Sequence, residues 1–328
     1  MRNNFILPEI FLDSWKLDDK LHIKNYALNE NVKEDLLKNE YILFRMFANH
    51  SAFDINKLYN QFIHISTVAK KIFDSNIEKN EDILLSGQET LFIKYYYFLI
   101  SILNNTYEFK FNEKSFYAKD IEFLDINSRE RMYVLLTINY ILYDFFDVLF
   151  TEKIFKGLDG YVADNSEFFG KTQFRNIINF PDNLENDGDF RFIDFHFHNI
   201  VNNTFLKFVM PDTKKTFGKT FIATAFSAAK FIDKRFDITT LSFFVVSPSL
   251  CMAVVHLGPG RGEVRPIFDV IKDNKVNITI LKDIMNADHN IFMNGVYLSD
   301  DQEIQFKGYF IDDKQLKFIN DSLFNWLK

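Results

Sequence analysis

Leu241-Ser242-Phe243-Phe244-Val245-Val246-Ser247-Pro248-Ser249-Leu250-Cys251-Met252-Ala253-Val254-Val255-His256-Leu257 holds two apolar runs separated by a Ser-Pro-Ser break. Runs of this length, rich in Val, Phe and Leu and bounded by turn residues, read as strands, here over 241–247 and 250–257. The same reading gives strands over 189–198, 204–210, 276–282, 294–299 and 304–311. Several of these follow one another closely, so the sheet is expected to be mixed and largely antiparallel. Segments 221–235 and 283–293 read as helices between them. From Asp312 to Lys328, Leu316, Ile319, Leu323 and Leu327 share one helical face, which predicts a C-terminal helix packed on the sheet.

The first half has a different punctuation. Of 11 Gly and 6 Pro, only Gly87 and Pro8 precede Gly157. Gly and Pro mark turns and break helices, so residues 1–156 read as a helical region. Ser51 with Asp54 resembles a helix start, and Ile55, Leu58, Phe62, Ile65 and Ala69 then recur on one face. Asn127 with Glu130 has the spacing of a capping box, ahead of Met132, Leu135, Leu136, Asn139, Tyr140 and Tyr143. Segments 28–48 and 81–104 read the same way, and Tyr107, Phe109 and Phe111 alternate as in a short strand or hairpin. The stretch 157–188 carries Gly157, Gly160, Gly170, Pro181 and Gly188 among many Asn and Asp, and reads as a junction. Residues 189–328 form the mixed α/β region. The expected class is therefore α+β: a helical N-terminal half packed on a mixed, largely antiparallel sheet, closed by a C-terminal helix, possible as one integrated domain.

Composition bounds the function classes. The 328 residues are 47% hydrophobic and 25% charged, the balance of a soluble globular chain and not of a disordered one. Thirty-eight basic against 45 acidic side chains leave a net charge of -7, so a nucleic-acid partner is not favoured. The 40 Phe fill a core, since each ring buries roughly 150–250 Å². A single cysteine, Cys251, cannot form an intrachain disulfide, which fits a reducing cytoplasm. Leu91–Leu103 is too short to cross a bilayer, and Tyr133–Phe150 is interrupted by Asn139, Asp144 and Asp147. Both read as buried helices, with no membrane role.

Two constellations could carry chemistry. In Asp194-Phe195-His196-Phe197-His198, residues 194, 196 and 198 share one parity. On a strand they face one side, where Asp194, His196 and His198 could ligate a divalent metal. The bland alternative is a polar strand edge. Gly258-Pro259-Gly260-Arg261-Gly262-Glu263-Val264-Arg265-Pro266 is the densest turn signal. There Arg261 and Arg265, oriented by Glu263, could grip an anion or an acidic partner segment; the bland alternative is a long hairpin connection. Asp288, His289 and His256 are further polar candidates that could meet the His196/His198 face. Gly218-Lys219-Thr220 resembles the end of a P-loop, but Thr213 stands where the first Gly is required. Cys251 reads as a buried structural thiol.

Phe5-Ile6-Leu7-Pro8-Glu9-Ile10-Phe11-Leu12-Asp13-Ser14-Trp15 resembles the N-terminal signature of domain-of-unknown-function family 4238, a bacterial family. Pro8, Ile10, Phe11, Leu12 and Trp15 match the signature, and Phe5 stands where the family has His. Val246-Ser247-Pro248-Ser249-Leu250 is similar to a later Leu-Ser-Pro stretch of the family. The resemblance implies a soluble, helix-rich α+β protein and brings no reaction with it.

No complete catalytic motif is present. The first functional expectation is thus a cytoplasmic binding or effector protein, of the kind encoded in a bacterial accessory or antiviral-defence locus. It would bind a protein partner or an anionic small ligand, with no cofactor. The alternative is a metal-dependent hydrolase or nuclease built on His196 and His198, which would need a divalent metal. Whether the chain is an enzyme, and whether it forms oligomers, is left open by the sequence.

Overall fold

The computed structural model describes residues 9–16, 23–25, 30–32, 55–77, 82–103, 109–111, 114–117, 204–223, 228–233, 238–256 and 303–325, with scattered positions between 120 and 142. Among these residues the class is α+β, as expected. A five-stranded sheet holds the centre. Its strands are β6 (Thr204–Pro211), β7 (Ala228–Asp233), β8 (Ile238–Ser247), β9 (Leu250–His256) and β11 (Tyr309–Ile311), in the order β11-β6-β9-β8-β7. All neighbours pair antiparallel except β11 with β6, which is parallel.

The two runs that opened the sequence reading are the middle of this sheet. Every residue from Leu241 to Ser247 and from Leu250 to Val255 is buried. One face carries Leu241, Phe243, Val245, Cys251, Ala253, Val255 and Val209, against Leu316, Ile319 and Leu323 of the C-terminal helix α4 (Asp313–Asn325). The opposite face meets α3 (Gly87–Leu103): Tyr96 lies edge-on to Phe244, with ring centroids 6.4 Å apart. The sheet is thus covered on both sides, which is why its strands read as continuous apolar runs rather than as strict alternation.

The first half is more mixed than the expected helical region. Helix α2 (Ile55–Ile72) forms as the pattern predicts, with Leu58, Phe62, Ile65 and Ala69 buried. Segment 81–104 does not begin as helix. Residues Asp82–Ser86 form strand β3, paired antiparallel with β10 (Glu303–Lys307). The chain turns into α3 through a capping box. Glu89 accepts the Ser86 amide at 2.9 Å while the Glu89 amide donates to the Ser86 hydroxyl at 3.1 Å, so two otherwise orphaned donors are satisfied at the helix start. Within 28–48, residues Glu30–Val32 are strand β2, paired with β1 (Ile23–Asn25). The aromatic alternation near 109 is a hairpin, β4 (Phe109–Phe111) with β5 (Lys114–Phe116). Near 130 the Ser128 hydroxyl accepts the Arg131 amide at 3.2 Å, and Asn127 lies outside the described residues. The described residues buried after it are Val134, Leu135, Ile138 and Leu142.

Two further expectations are corrected in the second half. The helix expected over 221–235 is absent among the described residues: 228–233 is the edge strand β7, held by pairing with β8. The strand expected over 304–311 breaks at Gly308 into β10 and β11, which belong to different sheets. The stretches 157–188, 189–198, 276–282, 283–293 and 294–299 lie outside the described residues.

Helix α1 (Glu9–Leu12) and the 3-10 turn Asp13–Trp15 connect the layers. Phe11 is fully buried, stacked on Tyr96 at 5.8 Å and edge-on to Phe73 at 6.3 Å. Four residues on, the Trp15 indole donates to the Phe221 carbonyl at 3.1 Å on the α4 side. No helix among the described residues is long and apolar enough to cross a membrane. Truncating Phe11 removes a whole ring from a site with no solvent, so we expect Phe11→Ala to cost about 3–5 kcal/mol in urea unfolding. Leu84→Ala, at an exposed position on β3, should stay within about 0.5 kcal/mol.

Candidate functional site

The residues singled out for metal or anion binding, Asp194, His196, His198, Arg261, Glu263 and Arg265, lie outside the described residues, as do Asp288 and His289. What the structure gives is the frame around them. Thr204 at the start of β6 pairs with His256 at the end of β9. Thr204 and His256 therefore share one end of the sheet. Among the described residues no group of three or more His, Cys, Asp or Glu is placed to hold a metal ion. Cys251 is fully buried and its thiol is pushed well up by burial, so it is no nucleophile. This agrees with the structural reading of that residue.

A buried polar stripe runs along α3 at that sheet end. Thr90, Lys94, Tyr97 and Ser101 are spaced by four, three and four residues, hence on one helical face. Lys94 is 2% exposed and donates to the Thr204 carbonyl at 2.7 Å. Burial pulls its ammonium down to about 7, because the charged form loses its hydration there. The Tyr97 hydroxyl is buried on the side of α3 that faces Ser242 of β8, and burial raises its pKa. Within the stripe, Lys94 ties α3 to β6 through the Thr204 carbonyl in an otherwise apolar layer.

The surface offers a second feature, one absent from the sequence expectations. After β6 the chain turns over 213–218 and runs along α4 to Ile222. Asp212 organises the turn. Its carboxylate accepts the amides of Lys214 and Lys215 at 3.0 and 3.3 Å, and its carbonyl accepts the Thr216 amide at 2.8 Å. Its own amide donates to the Ile311 carbonyl at 3.0 Å. Lys215 sits 3.2 Å from the same carboxylate and holds it below the usual Asp range.

The far end is fixed as firmly. Lys219 pairs with Asp313 at 2.7 Å. Asn320 donates to the Thr220 carbonyl and accepts the Ile222 amide, both at 3.1 Å. Between these two anchors Phe221 inserts into the α4-side core, its amide bonded to the Pro248 carbonyl at 2.9 Å. Helix α4 is itself well capped: the Asp312 amide donates to Gln315 Oε1 and the Gln315 amide to Asp312 Oδ1, both at 3.0 Å, and the Lys314 amide donates to Asp312 Oδ1 at 2.9 Å.

On this pinned strap Phe217 stands out. It is 81% exposed and its φ is +54°. A bulky L-residue in the left-handed region is an outlier that costs about 1–2 kcal/mol. Gly218 follows at φ +73°, a conformation glycine adopts freely. Thr216, just before, is fully buried, and its hydroxyl has no partner among the described residues. The strap thus turns its polar residue inward and its ring outward. Lys214, Lys215 and Lys219 flank the ring, all exposed, with Ile222 exposed further along. The P-loop likeness of Gly218-Lys219-Thr220 ends here, because Lys219 is engaged with Asp313.

No family model matches the chain, and no curated protein or solved structure is similar to it.

Two outcomes follow from this geometry. Phe217→Gly relieves the left-handed strain and removes an exposed ring, so we expect it to raise unfolding free energy by about 0.5–1 kcal/mol. Gly218→Ala should lower it by about 1 kcal/mol although no atom crowds the position. Lys94 gives a pH dependence. Between its folded pKa near 7 and the ordinary lysine value, the unfolded chain binds the extra proton, so stability rises with pH. The raised pKa of Cys251 acts oppositely, and only above about pH 8.5 where the unfolded thiol ionises. We therefore expect about 1.5 kcal/mol of gain between pH 7 and about 8.5 from Lys94. Urea titrations at both values should show that gain removed in Lys94→Met.

Proposed function

We propose that this protein is a binding or effector protein that works through the strap from Asp212 to Ile222, not through bond-making chemistry. One observation carries the reading: a phenylalanine held at φ +54° and 81% exposed on a segment bonded at both ends. Exposure of a large ring and left-handed strain at a bulky residue both oppose folding. The features that persist against stability are those at which a protein meets something else. The single cysteine supports a cytoplasmic setting.

The test compares the full chain with Phe217→Glu in the native cell and as purified protein. We expect the wild type to migrate in an assembly well above its own 38.9 kDa on size exclusion of gentle lysates. Phe217→Glu should return it to monomer size with the melting temperature unchanged. Identical elution of the two chains would argue against the reading. The hydrolase alternative has its own readout. Stoichiometric Zn, Mn, Fe or Ni in untagged protein, with phosphodiester turnover lost in both His196→Ala and His198→Ala, would replace the binding reading by a metal enzyme.

A further inference from the structure

We propose that the Phe217 strap docks onto a folded protein partner, which takes the Phe217 ring into an apolar pocket and meets Lys214 with a carboxylate at the pocket's rim. This rests on the binding reading above and adds the chemistry of what is bound.

The charge around the ring selects the class of partner. Across 212–222 and 312–325 the chain carries five lysines and four aspartates. Lys215 and Lys219 are already neutralised by Asp212 and Asp313. A loop that reads an anionic bilayer relies on a cluster of about 4–8 basic side chains acting together, and this surface is close to electrically balanced. A nucleic-acid binder needs a basic stripe strong enough to release counterions, and the chain's net charge is -7. One large aromatic inside a rim of mixed charge is instead the composition of a protein–protein anchor.

Lys214 supplies the polarity of the contact. It is exposed, and among the described residues its side chain makes no ion pair. Three positions before the ring, it lies where a partner carboxylate would be drawn, steering encounter more than holding the complex. Ile222 is 39% exposed on the same strap and extends the apolar footprint along α4. The bonds that pin the strap mean little chain entropy is lost on docking. The strain at Phe217 is already present in the free protein, so the ring is presented rather than recruited.

The experiment places a photo-cross-linking benzoylphenylalanine at position 217 of the full chain in the native cell and identifies the adduct by mass spectrometry. The adduct protein is then purified and titrated calorimetrically with wild type, Phe217→Ala, Lys214→Glu and, as control, Leu84→Ala. We expect a single protein adduct. Phe217→Ala should weaken binding by at least about tenfold. Lys214→Glu should weaken it about threefold or more, mainly in the association rate and less at high salt. The control should stay within about twofold. A lipid or nucleic-acid adduct, no adduct, or less than tenfold loss in Phe217→Ala overturns the proposal. If the native assembly still depends on Phe217 while the adduct is lipid or nucleic acid, the partner chemistry falls and the binding reading stands. If nothing depends on Phe217, both fall.

Discussion

A strand pair that is apolar on both faces can persist only where two layers cover it. In this protein β8 and β9 are such a pair, buried at every position from 241 to 247 and from 250 to 255. The requirement to cover them recruits distant segments. Helix α4 and Phe221 close one face, and α3 with Tyr96 closes the other. Phe11 and Trp15, four residues apart, reach opposite sides of the sheet, the first onto Tyr96 and the second onto the carbonyl of Phe221. On the second face Phe208 of β6 meets Phe306 of β10 edge-on at 5.3 Å, which ties the small β3–β10 ribbon to the main sheet.

What the sequence showed depended on whether the controlling interaction was local. The central strands, α2 and α4 carry their own periodicity, so Ile319 or Phe62 can be assigned to a core before any partner is known. The α3 boundary was missed, although Ser86-Gly87-Gln88-Glu89 is itself a capping box; the apolar residues before it concealed a strand within a helical pattern. Strand β7 was not readable. Ala228-Ala229-Lys230-Phe231 has no strong preference, and pairing with β8 decides its conformation. The split at Gly308 depends likewise on two partners in two sheets, β3 and β6, which lie far away in sequence.

The candidate site was legible only in outline. The Gly-Lys-Thr tripeptide, set aside as a P-loop because Thr213 stands where the first Gly is required, lies on the turn that carries the proposed contact. The proposed contact sits one residue earlier, at Phe217, and rests on two quantities that no residue pattern encodes: a positive φ and an exposed ring. Among 40 phenylalanines, nothing in the letters separates the one that faces water from those that fill the core. The polar stripe on α3 was equally concealed. Thr90, Lys94, Tyr97 and Ser101 have helical spacing, but a charged residue in that row reads as a solvated edge until the Thr204 carbonyl is seen to receive it.

The pairing of β3 with β10 joins residues 82–86 to residues 303–307, and that separation bears on how the chain matures. Contacts this far apart make folding slow, since a long loop must close before they form. A ribosome adds about 5–20 residues per second. The hairpin of β8 and β9 is therefore made several seconds before α4 exists to cover Leu241, Phe243 and Val255. During that interval this apolar surface, with open strand edges, stands in water. Chaperone demand should be concentrated in this window of synthesis, and the finished fold retains no trace of it.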